Sequence, residues 1–202
     1  MLRIYHVPGT RSVRVVWLCE ELGLAYERVP VDFSPEYRAS AEWRRLNPVG
    51  KVPAMTDGDL VLFESGAMVE YILDRYGEGR LRPAQGSASH PRYLQWSWFA
   101  EATFARALGE IVNHRRVFGD ESSARVLDEM RDRARVCLEA IDDALDGQDY
   151  LVGGDFTAAD IMMGYSIFLA KWVGAMKEGE FPNVSTYFAR LRARPAFVRA
   201  MA

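Results

Sequence analysis

The sequence predicts a two-part α+β/α fold, with an amino-terminal segment ordered β-α-β-α-β-β-α and an all-helical remainder. Three observations predict it. Hydrophobic periodicity switches repeatedly between strand-like and helix-like over the first third of the chain. An Asp57-Gly58 pair sits between two apolar runs, a strong hairpin signal. Beyond a Gly-, Pro-, Ser- and Arg-rich stretch at residues 78–89, only long helical patterns follow.

The elements are read in order. Leu2 and Ile4 alternate with Arg3 and Tyr5 as in a strand, and residues 13–22 form a helix closed by Gly23. Residues 26–32 alternate as a second strand, and a polar segment around Trp43 is expected to be helical. Residues 52–56 and 60–63 form the hairpin. Ser65 is expected to cap a helix whose apolar positions Met68, Val69, Ile72 and Leu73 recur until Gly77. Helices are then expected at 91–118, 122–145, 158–176 and 184–194. Thr157 and Asp160 have capping-box spacing at the start of the third of these. The domains expected are 1–78, a linker at 79–88, and 89–202.

Composition removes several function classes. The 202 residues carry 25 basic and 28 acidic side chains, a net charge of -3, without a basic stripe, so nucleic acid and anionic lipid are not expected as partners. No apolar run is long enough to span a membrane and Met1 to His6 do not resemble a secretory signal, so the expected location is cytoplasmic and not at a membrane. Cys19 and Cys137 are far apart and the three histidines are scattered, so no metal site is expected.

Three constellations carry chemistry. The first is Pro8-Gly9-Thr10-Arg11-Ser12, between strand and helix, where amide N–H groups and the helix dipole favour an anion and a hydroxyl can donate to a thiolate. Either hydroxyl can equally serve as an ordinary helix cap. The second is Asn47-Pro48-Val49-Gly50-Lys51-Val52-Pro53, with proline at the mouth of a strand. If the Val52-Pro53 bond is cis, Val52 turns its backbone outward, where an extended peptide can pair with it. The third is Phe63-Glu64-Ser65-Gly66, a carboxylate and a hydroxyl beside a helix N-terminus, suited to a ligand end bearing an ammonium and a carboxylate.

In order and spacing these segments, with Val15-Val16-Trp17-Leu18-Cys19-Glu20-Glu21-Leu22-Gly23 after the first, resemble the cytosolic glutathione transferases of serine/threonine type. Gly153-Gly154-Asp155-Phe156-Thr157-Ala158-Ala159-Asp160 is similar to that family's capping segment in the second domain. The resemblance implies a thioredoxin-like first domain, a helical second domain and a homodimer. It implies glutathione as co-substrate, held by Lys51, Val52, Pro53, Glu64 and Ser65, and a small electrophilic, largely apolar second substrate. The thiol-activating hydroxyl is expected from Ser12, ahead of Thr10, with Tyr5 as a lesser alternative. Aromatic residues Trp98, Phe104, Phe168 and Trp172 are the candidates for the second-substrate pocket, although such stripes more often build cores. Cys19 falls inside the predicted helix, away from the loop where cysteine-type members place their nucleophile. Two rivals share the fold: a non-catalytic protein that binds glutathione or another ligand, and a glutathione-dependent isomerase or dehalogenase.

Overall fold

The computed structural model describes residues 1–202. They form two compact units: Met1–Arg82 together with Ala193–Ala202, and Pro83–Arg192.

The first unit opens with β1, Leu2–His6, whose Leu2, Ile4 and His6 are buried while Arg3 is exposed. The helix α1, Ser12–Leu22, follows. It stops at Gly23, whose φ of 66° lets the Gly23 and Leu24 amides reach back to the Glu20 and Cys19 carbonyls. The strand β2, Glu27–Pro30, runs parallel to β1. Two short helices follow where sequence indicated one helical segment: α2, Pro35–Ala39, and α3, Ala41–Leu46. The split lies at Ser40, which ends α2 and caps α3 by accepting from the Trp43 amide at 3.2 Å.

The strands β3, Ala54–Asp57, and β4, Leu60–Phe63, form an antiparallel hairpin, and the sheet order is β2-β1-β3-β4. The ladder begins at Ala54 rather than at residue 52, because Pro53 has no N–H to donate. Gly58 follows the last paired residue at φ 58°. The last helix of this region is α4, Ser65–Tyr76, with Met68, Val69, Ile72 and Leu73 buried as its spacing predicts.

The order is that of a thioredoxin-like domain, with α1 and α4 packed together over the buried face of the sheet. Ile4, Val15, Val16, Leu18, Met55, Met68 and Ile72 are wholly enclosed. The tail, which sequence alone groups with the helical domain, also belongs here. Its helix α10, Pro195–Met201, packs on α1, with Phe197 edge-on to Trp17 at 4.8 Å between ring centres. Arg194 donates to both oxygens of Glu21, at 2.6 and 2.8 Å.

The second unit is helical. The helix α5, His90–Trp98, passes through a π-helical segment, Phe99–Phe104, into α6, Ala105–Phe118, so the long aromatic helix carries a one-turn widening in its middle. Then come α7, Ala124–Ala144, α8, Ala158–Trp172, and α9, Pro182–Arg192. The predicted capping box forms at α8, where the Thr157 amide donates to Asp160 at 2.8 Å. Asp160 is fully buried and also accepts from the Leu151 amide at 3.1 Å, the Thr157 hydroxyl at 3.0 Å and the Tyr187 hydroxyl at 2.8 Å. No helix is long and apolar enough to cross a membrane.

Candidate functional site

Sheet register brings the three sequence constellations to one place. Tyr5 pairs with Ala54, and Ala54 with Phe63. The chain leaving β1, the chain entering β3 and the chain leaving β4 therefore meet at one end of the sheet. The same end receives the N-termini of α1 and α4, because each helix starts directly from that edge. A buried arginine ties these two helix starts together. Arg14, wholly enclosed in the first turn of α1, donates to the Ser65 hydroxyl at 3.2 Å.

That bond revises one expectation. Ser65 is the first residue of α4 rather than its cap; Glu64 holds the cap position and makes no side-chain capping bond. Glu64 is exposed, with φ 74° and ψ 110°, a conformation that side chains other than glycine avoid. Such strain costs roughly 1–3 kcal/mol and persists where surrounding structure enforces it, most often at ligand clamps.

At the middle segment the Val52-Pro53 bond is cis. The Val52 amide and carbonyl take no partner from neighbouring turns or ladders, while Pro53 is buried. Asn47 braces this segment from within, donating to the Pro53 carbonyl at 3.1 Å and accepting from the Val49 amide at 3.1 Å. Gly50 is required here, because a Cβ would sit 2.7 Å from the Arg38 carbonyl oxygen. Lys51 is exposed and forms none of the ion pairs of the chain.

The loop after β1 separates its two hydroxyls. Ser12 is fully buried, and its hydroxyl oxygen lies 2.8 Å from His6 Nδ1, 2.8 Å from Thr10 Oγ1 and 3.0 Å from the Val7 carbonyl. It also accepts from the Val7 amide at 3.2 Å. Its bonding capacity is spent inside the loop. Thr10 is half-buried and donates to the Val7 carbonyl at 2.8 Å. Of the two, Thr10 is the one with access to the site's surface. Tyr5 lies within the sheet, half-buried, its ring edge-on to Trp43 at 5.9 Å between centres.

Two residues of this site escape sequence reasoning. His6 is buried on the core side of β1, and burial, aided by the charge of Arg28, lowers its pKa to about 4. Its place in the alternation with Leu2 and Ile4 was the available signal. Arg14 stands as the one charge within the apolar run of residues 13–19, and a lone charge in such a run is a signal of a paired buried group.

The four aromatic candidates lie in the helical unit with unequal exposure. Trp98 and Trp172 are 68% and 65% exposed, Phe168 is half-buried, and Phe104 is fully enclosed as a core side chain. Cys19 is buried in α1, where burial first and the neighbouring Glu20 second push its thiol pKa far up, so it is no nucleophile.

Comparison with known proteins agrees with this architecture. The model of the glutathione S-transferase N-terminal domain matches residues 1–74, and that of the C-terminal domain matches residues 97–195. The chain belongs to the glutathione S-transferase family. Glutathione S-transferase 1 of Triticum aestivum is 30% identical over 206 residues, covering 96% of this chain and 90% of that one. A probable glutathione S-transferase of Oryza sativa subsp. japonica is 31% identical, covering 93% and 89%. Among solved members of the family, the transferase URE2P6 of Phanerochaete chrysosporium, in complex with oxidized glutathione, superposes with a TM-score of 0.88 at 28% identity, covering 98% of this chain and 94% of that one. A Burkholderia graminis glutathione transferase with two glutathione molecules bound per subunit gives 0.88 at 30% identity, covering 99% and 87%.

Proposed function

We propose that this glutathione S-transferase binds glutathione at the sheet end just described and transfers its thiolate to an electrophilic carbon of a small, largely apolar second substrate, as an alkyl or aryl transferase. The observation that carries this reading is the convergence, through the Tyr5–Ala54–Phe63 register, of a hydroxyl-bearing loop, an unpaired strand backbone and a carboxylate at a helix start. Glutathione, an extended tripeptide with a thiol in its centre, matches that sequence of functions. Val52 pairs with the cysteinyl backbone, Glu64 and Ser65 receive the γ-glutamyl end, and Lys51 neutralises a ligand carboxylate. Glutathione complexes of structural neighbours support the same ligand here.

For the thiol, the exposure of the two hydroxyls favours Thr10 over Ser12 as the donor. A free thiol has a pKa of about 8.5, and lowering it by about two pH units requires roughly 2.7 kcal/mol of preference for the thiolate. A hydrogen bond to a charged group supplies roughly 1.5–3 kcal/mol and a helix N-terminus about 0.3–1. Thr10 and the α1 dipole together meet the requirement. The thiolate attacks the electrophilic carbon, and the product leaves as a thioether, with any displaced group carrying away the electron pair.

Trp98, Phe168 and Trp172 are assigned to the second-substrate pocket; Phe104 is enclosed in the core of the helical unit. The same reading assigns a homodimer in the cytoplasm, consistent with apolar Val61 and Phe63 exposed on the edge strand β4.

The test is an ultraviolet difference titration of glutathione with the purified protein from pH 5 to 9. A bound-thiol pKa well below the free value supports the transferase. Binding without that shift replaces it with a glutathione-binding module.

A further inference from the structure

The proposed chemistry leaves one buried titratable group unused. His6 lies behind the thiol-activating loop, and its Nδ1 is 2.8 Å from the hydroxyl oxygen of Ser12, which is 2.8 Å from that of Thr10. Resting on the reading that Thr10 donates to the glutathione sulfur, we propose that His6 is a positioning residue which, through Ser12, orients and strengthens the Thr10 hydroxyl as a donor.

The hydrogen-bond count gives the direction of the chain. His6 Nε2 is buried without a partner. An unpaired buried N–H is costlier than an unpaired ring lone pair, because an unused donor forfeits its bond to water with nothing in return. The neutral ring therefore places its proton on Nδ1, which donates to Ser12 Oγ. Ser12 then accepts twice, from His6 Nδ1 and from the Val7 amide at 3.2 Å, and has one proton left to give. Thr10 Oγ1 at 2.8 Å and the Val7 carbonyl at 3.0 Å compete for that proton.

In the structure, Thr10 donates to the Val7 carbonyl at 2.8 Å. When a thiolate takes the Thr10 proton as its hydrogen-bond donor, Thr10 Oγ1 becomes the better acceptor for Ser12, and all three bonds align: His6 Nδ1–H to Ser12, Ser12 O–H to Thr10, Thr10 O–H to sulfur. Aligned bonds polarise one another, by about 10–30% each. Burial keeps His6 neutral throughout the working pH range, so the alignment does not lapse with pH. No atom is transferred along the chain. Its effect is to hold the last hydroxyl in one orientation, with its donor strength raised.

The test measures the pKa of bound glutathione by thiolate absorbance, with glutathione affinity determined separately, in the wild type and four variants. Thr10→Val tests the underlying reading: a bound-thiol pKa unchanged from wild type removes Thr10 as donor and the present inference with it. Given a shift in Thr10→Val, His6→Leu and Ser12→Ala are expected to raise the bound-thiol pKa by about 0.5–1 pH unit, a three- to tenfold loss of thiolate, with affinity held within about twofold. His6→Asn, which keeps an N–H near the Nδ1 position, is expected to restore the wild-type pKa. A merely structural role for His6 moves stability and affinity without this graded pKa pattern. Wild-type pKa values in His6→Leu and Ser12→Ala, or equal values in His6→Asn and His6→Leu, overturn the proposal while leaving the function intact. Should His6→Leu fail to fold, Ser12→Ala, a change of one buried atom, decides alone.

Discussion

Arg14 donates to the hydroxyl of Ser65 across fifty-one residues of sequence, joining the first turn of α1 to the first residue of α4 at the sheet end where the ligand segments meet. The bond carries the serine in two directions, as a partner for a buried cation and as a proposed partner for the γ-glutamyl end of glutathione. Ser65→Ala leaves the guanidinium short of one acceptor, which costs about 1–3 kcal/mol. Urea unfolding is expected to show that loss. Isothermal titration is expected to show weaker glutathione binding with the bound-thiol pKa preserved, because the thiol end of the ligand is untouched.

His6 makes stability pH-dependent in a calculable direction. Its folded pKa is lowered to about 4, chiefly by burial and then by Arg28, from an ordinary value near 6.5. Between those values the unfolded chain takes up a proton that the folded chain refuses. Stability attributable to this group is therefore intact above pH 6.5 and falls as pH drops toward 4. At about 1.4 kcal/mol per pH unit the full loss is on the order of 3 kcal/mol. Unfolding free energies at pH 7 and pH 4.5 are expected to differ less in His6→Asn than in the wild type; equal differences defeat the assignment.

The hydroxyl loop shows where sequence stops being legible. Helical and strand periodicity located the longer elements that have a buried face, because burial is what writes the pattern. Met68, Val69, Ile72 and Leu73 are buried at the predicted spacing, and Gly23 ends α1 with the left-handed turn that only a glycine enters cheaply. Thr10 and Ser12 are both small hydroxyls two residues apart, and nothing in their type says which turns inward. The His6 ring, buried beneath the loop, decides it by bonding Ser12, and that depends on how the loop folds back over β1 rather than on residue type. Ser65 likewise reads as a cap until Arg14 claims its oxygen. Residues 195–201 form too short a helix for periodicity to reveal, and their place is set by Trp17 and Glu21 from the other end of the chain.

Asp160 organises the helical unit as the sheet end organises the first. It accepts four hydrogen bonds inside the core, from the Leu151 and Thr157 amides and from the Thr157 and Tyr187 hydroxyls. Asp160→Ala strands those buried donors and is expected to cost about 3–5 kcal/mol, whereas Tyr187→Phe removes one partner and is expected to cost about 1–2. The double variant is expected to lose less than the sum, because Tyr187 has no bond to lose once Asp160 is gone. Denaturant midpoints of the three variants measure this coupling, and strict additivity rules the shared network out.

Glu64 separates the requirements of fold and ligand at a single residue. Its backbone sits at φ 74°, and its side chain makes no capping bond that offsets the strain. Glycine enters this region freely, so Glu64→Gly relieves roughly 1–3 kcal/mol of strain in the folded state while adding about 0.5–1 kcal/mol of unfolded-chain entropy. The variant is expected to unfold at an equal or higher urea concentration than the wild type. Its glutathione affinity is expected to fall at least tenfold, because the ligand's ammonium loses its carboxylate. Glu64→Ala keeps the strain and removes the same carboxylate, so it is expected to match the glycine variant in affinity and fall below it in stability. A glycine variant less stable than Glu64→Ala shows that the backbone at residue 64 is not strained. Undiminished affinity in both places the γ-glutamyl end elsewhere.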